Sequence, residues 1–151
     1  MHPSHPSPNG ADASGRGPFA NVPWSLVLGL GALALVRPLL SITGVTDTLD
    51  WSPWLQLGVT AAVSLAWVVS VVVARAPRPL LTLVCTGLAY GVFSIVLSAA
   101  LSPLLTGELQ GPLTNPLGLA GVVGTNTVWG LVCGVIALAV RSALDRGGSR
   151  V

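Results

Sequence analysis

The chain of 151 residues has little charge: Asp, Glu, Lys and Arg together make up 8% of it, and lysine is absent altogether. A water-soluble domain carries about a quarter of its residues charged, so this chain cannot cover a core with a hydrated surface. Aromatic residues are only 5%, and the two histidines, His2 and His5, both stand at the very start. The long apolar blocks that follow contain no His, Lys, Asp or Glu. Hydrolysis or group transfer inside a membrane needs a nucleophile with a base, paired acids or a metal cluster, so no enzyme is expected. Cysteine is scarce too: Cys85 and Cys133 lie inside apolar stretches without a CxxC spacing. They read as small hydrophobes, and neither a metal site nor a cofactor is expected. A net charge of +2 scattered over short connections is no nucleic-acid footprint.

Apolar residues make up 52% of the chain, and the mean hydropathy is +0.78. The excess is concentrated in four blocks, about 24–43, 53–74, 80–105 and 117–140. Each has the roughly 20 residues needed to cross a hydrocarbon core at 1.5 Å per residue. Backbone groups in lipid must be satisfied within the segment, so the blocks are expected to be helices despite their valine content. The fold class is therefore an all-α membrane protein, a four-transmembrane-helix bundle spanning residues 23–141. Residues 1–22 are rich in Pro, Ser and Gly and are expected to be a disordered tail. Residues 142–151 read as a short second tail. The run from Leu26 to Val36 has the length of a signal h-region, but its basic flank is only Arg16 against Asp12, so a retained span is expected.

The connections carry the orientation. "RAPRP" holds Arg75 and Arg78, the C-terminal segment holds Arg141, Arg146 and Arg150, and the N-terminal segment holds Arg16. The other two connections, "GVTDTLDWS" and "TGELQGPLTNP", hold Asp47, Asp50 and Glu108 and no basic residue. Positive charge stays on the cytoplasmic side, so both termini are expected there. Trp24 near one boundary and Trp51 with Trp54 near the other fit interfacial anchoring. Arginine without lysine, alongside much Ala, Gly, Val and Leu, is the composition of a high-GC coding sequence. The expected location is a plasma membrane of the bacterial inner-membrane type.

One block carries a residue that lipid does not tolerate cheaply. In "ALALVRPLLSITG" the pair Arg37 and Pro38 interrupts the first span. Leu26 to Val36 is far too short to cross, so the pair must lie at membrane depth, in the outer half. Pro38 cannot donate to the carbonyl of Ala34, so a kink or hinge is expected there. Counting at the helical rise puts Arg37 about 9 Å below the outer boundary, with Thr60, Ser98 and Thr125 about 10 to 12 Å down and Asn126 about 13 Å down. All four spans thus bring a hydrogen-bonding side chain to one layer. An arginine offers five donors and no acceptor, and no acid lies within a span to neutralise it. A bound anionic solute, a lipid headgroup or an acid from an outer loop would have to do so. The plainer alternative is that Arg37 snorkels to the headgroups while the other side chains bond to their own helices.

Small residues form a second pattern. Gly87, Gly91, Ser94, Ser98 and Ser102 recur at spacings of three and four, and Gly130 with Gly134 makes a GxxxG. Such spacings put small side chains on one helix face and allow a close neighbour. The expected role is packing within the bundle. The functional expectation is a small non-catalytic accessory subunit that contacts the lipid bilayer and other membrane proteins or copies of itself. The alternative is an oligomeric carrier or channel subunit that receives an anionic group at Arg37. The outer segment 106–116 is long enough to act as a lid over the polar layer.

Overall fold

The computed structural model describes residues 21–42, 53–107 and 114–148, together with 17 and 19. Residues 1–16, 43–52, 108–113 and 149–151, with His2, His5, Asp47, Asp50, Trp51 and Glu108, lie outside the described residues, and so does most of the proposed lid. All regular structure among the described residues is helical, with no strand. The order is α1 (Trp24–Ala34), α2 (Val36–Ile42), α3 (Pro53–Val73), α4 (Pro79–Thr106) and α5 (Pro116–Gly148). Three helices are long and apolar enough to cross a bilayer, over Gln56–Val73, Pro79–Leu104 and Pro116–Gly148, beside a shorter apolar stretch over Trp24–Leu40. This arrangement is compatible with a helical membrane bundle.

The shorter stretch is broken one turn before Pro38. The interruption is the single residue Leu35, whose N–H reaches Ala32 O at 3.0 Å, while Leu39 N–H reaches Leu35 O at 3.0 Å. Pro38 has no hydrogen to give Ala34, and its ring crowds that carbonyl, so the ladder loosens just before it. The proline then sits in the first turn of α2, where a missing N–H costs least.

α4 and α5 run antiparallel as the closest pair. A Cβ on Gly87 would collide with the backbone carbonyl of Asn126, and one on Gly130 with the carbonyl of Leu83. A Cβ at Gly134 would stand 3.0 Å from Leu80 Cα, and one at Gly91 3.4 Å from Val123 Cα. Four glycines thus set the backbone separation of the two helices. Ser94 shares α4 with two of these glycines, and its Oγ is buried without a hydrogen-bond partner among the described residues. Ser98 and Ser102 are half-buried farther along α4.

The core lies toward the arginine-bearing end of the bundle. Leu30 and Ala34 of α1, Trp67, Val68 and Val71 of α3, Leu83 of α4, and Cys133 and Ala137 of α5 form one buried cluster. Val22, last residue of the Pro- and Gly-rich segment, is itself buried against Val27 and Cys85. The α3–α4 turn closes this end. Ala76 N–H bonds to Val71 O at 3.2 Å and Arg75 N–H to Val72 O at 3.1 Å, the paired bonds of a Schellman ending. Arg75 takes the left-handed position there, with φ 47°. Arg141 Nη1 donates to Ala76 O at 2.6 Å and ties the turn to α5. That helix continues past Val140 to Gly148, beyond the apolar pattern, because "RSALDR" contains no breaker before the glycine pair.

Candidate functional site

The opposite half of the bundle is packed less completely. A cavity of about 300 Å³ lies between the break in the first helix and α3, α4 and α5. Ala34 and Arg37 line it from the broken helix, Thr60, Ser64 and Trp67 from α3, Tyr90 from α4, and Thr125, Asn126 and Trp129 from α5, with Leu57 and Val63 completing the wall. Depth counting groups Arg37, Thr60, Thr125 and Asn126, and all four share this cavity. Ser98 does not line it; it stands two turns farther along α4 than Tyr90.

Two indole N–H groups fix the floor. Trp67 Nε1 donates to Leu30 O at 3.0 Å, which joins α3 to α1. Trp129 Nε1 donates to Ser64 Oγ at 3.0 Å, which joins α5 to α3. Tyr90 meets Trp67 edge-on, with ring centroids 6.3 Å apart, a geometry favoured by the ring quadrupoles. None of these four side chains is foreseen from the sequence. Their signal is rotation about the helix axis, and a helix apolar on every side does not reveal which face turns inward.

The donors and acceptors on the wall are unequal. Thr60 Oγ1 donates to Gln56 O at 2.9 Å and Ser64 Oγ to Thr60 O at 2.7 Å, so both hydroxyl hydrogens are engaged within α3. Asn126 Nδ2 donates to Val122 O at 2.7 Å, engaging one of its two amide hydrogens. The five N–H donors of Arg37 and the hydroxyls of Tyr90 and Thr125 have no hydrogen-bond partner among the described residues. The one acid among those residues, Asp145, is near the end of α5 remote from the cavity. The wall therefore combines one cation and several unengaged donors with no carboxylate. Such a wall is electrostatically suited to an anionic group.

Polarity also changes along the cavity. Thr60 precedes Trp67 by seven residues, or about 10 Å at the helical rise, and Arg37 and Asn126 likewise lie one turn beyond Ala34 and Trp129. The polar side chains are thus at the level away from the core, and the aromatic ones are at the level touching it. Set against known protein families, curated proteins and solved structures, the chain matches none of them.

Proposed function

We propose that this protein is a non-catalytic, multi-pass membrane protein that holds an anionic group at Arg37. The chain crosses four times, with both termini on the cytoplasmic side, in a plasma membrane of the bacterial inner-membrane type. The broken first helix supports the fourth crossing: residues 24–42 extend about 28 Å at the helical rise, close to the thickness of a hydrocarbon core. The observation that carries the function is the wall of the cavity, where Arg37 faces hydroxyl and amide donors and no acid among the described residues. An arginine in lipid costs about 2.5 to 3.5 kcal/mol at mid-span. An anion that accepts its fork of hydrogen bonds offsets part of that penalty. The protein thereby acts as an accessory component beside other membrane proteins or copies of itself, recognising an anionic partner group without transforming it.

A break in a helix beside a polar cavity also favours a second reading, a carrier or channel subunit that moves the same group, since discontinuous helices recur at transporter sites. Purified wild type, Arg37→Ala and Arg37→Gln, compared for abundance, thermal stability and binding of an alkyl phosphate, test the proposal. Arg37→Gln is expected to stay abundant and to lose affinity by about tenfold or more. Unchanged binding, with stability lost in Arg37→Ala and restored in Arg37→Gln, would make the layer purely structural. Uptake that disappears with Arg37 favours the carrier over the accessory role.

A further inference from the structure

We infer that the group held at Arg37 belongs to an anionic phospholipid of the outer leaflet, which enters sideways between α3 and α5. This inference rests on the anion-binding reading above and specifies its ligand. The first observation is where the cavity opens. Its floor is closed, with Trp67 only 2% and Ala34 3% exposed and the Trp129–Ser64 bond joining α5 to α3, whereas Leu57 on α3 is 61% exposed. Thr125 on α5, deeper than Leu57, is exposed as well. Leu57 lies four residues into α3 and Thr125 nine residues into α5. The open wall therefore extends from about 6 Å to about 14 Å below the helix starts, on the flank of the bundle rather than at its end.

The second observation is the gradient inside. Arg37, Thr125 and Asn126 stand toward the outer end, and Trp67, Tyr90 and Trp129 stand deeper. An outer-leaflet lipid has the same order, with phosphate outward and chains inward. Its phosphate meets the Arg37 fork and the hydroxyl of Thr125, and the first methylenes lie over the aromatic rings. A free phosphate would use only the outer half and leave the ring-lined half empty. The volume of about 300 Å³ is at the small end for ligand sites. It takes the phosphate and the start of the chains, and the rest of the lipid runs along the exposed faces of α3 and α5.

The test uses the full chain in nanodiscs of phosphatidylcholine alone or of a four-to-one mixture with phosphatidylglycerol, examined by native mass spectrometry with and without inorganic phosphate. Wild type is expected to retain one phosphatidylglycerol that inorganic phosphate does not displace. Arg37→Gln should lose it by about tenfold or more, and Arg37→Lys, which keeps the charge without the fork, should fall between them. Arg146→Gln, at the exposed far end of α5, should behave as wild type. Equal retention in Arg37→Gln and wild type would overturn the inference. Arg37-dependent binding of inorganic phosphate, with no retained lipid, would also overturn it while leaving the anion site standing. If neither probe depends on Arg37, the lipid inference and the anion site fall together.

Discussion

Arg75 occupies a left-handed position that glycine fills at many helix ends, and an L side chain is strained there by about 1 to 2 kcal/mol. Arg75→Gly is expected to raise thermal stability by about 1 kcal/mol in a detergent melt, less the entropy that glycine adds to the unfolded chain. Ser94 makes the opposite kind of point: its buried hydroxyl bonds to nothing among the described residues, so Ser94→Ala should stabilise by about 1 kcal/mol in the same assay. Individual side chains differ in how far the sequence reveals them. Arg37, Thr60, Thr125 and Asn126 are legible as a group, because depth follows from counting along a helix. Ser98 satisfies the same count yet does not line the cavity, and Ser64, Trp67, Tyr90 and Trp129 line it without any such signal. Rotation about each helix axis decides these cases, and a uniformly apolar sequence does not encode it visibly.

The helices depend on a few positions. Gly87 and Gly130 let α4 and α5 touch backbone to backbone, so a larger residue must push them apart. Gly87→Leu or Gly130→Leu is expected to cost about 1 to 3 kcal/mol or more, seen as a lower melting temperature. Gly121→Ala, where nothing approaches within 4 Å, should not lower it and is expected to add about 0.5 to 1 kcal/mol of stability. Glycine spacing makes such contacts readable in advance, although it does not say which helix supplies the partner. The ends of helices are less readable: α5 continues to Gly148 because polar helix-forming residues extend a helix once it has started, after the hydropathy that marks a span has ended. Pro38 governs the junction of α1 and α2. Pro38→Ala restores a donor for Ala34 O and should join the two segments. A spin-label pair across Leu35 reports the change, and Arg37-dependent binding should weaken as the guanidinium is redirected.

The whole bundle has a packed half and an open half, and the arginines mark which is which. Arg75, Arg78, Arg141 and Arg146 gather at the packed end, and Arg37 alone among the described arginines stands in the other half. With Cys85 and Cys133 buried, cysteines introduced singly can be read without replacing them. A cysteine at Asn115 should react with an impermeant reagent from outside intact cells, and one at Arg78 only after permeabilisation; the reverse pattern would invert the assigned topology. The central claim is that Arg37 holds an anionic group in the open half. A ligand that binds only the folded state raises stability in proportion to the logarithm of its concentration once the site is saturated. Thermal stability should therefore be measured for wild type and Arg37→Gln in bilayers of increasing phosphatidylglycerol content. An occupied site predicts that wild type gains stability with anionic lipid while Arg37→Gln gains much less, and equal gains in both proteins would contradict it.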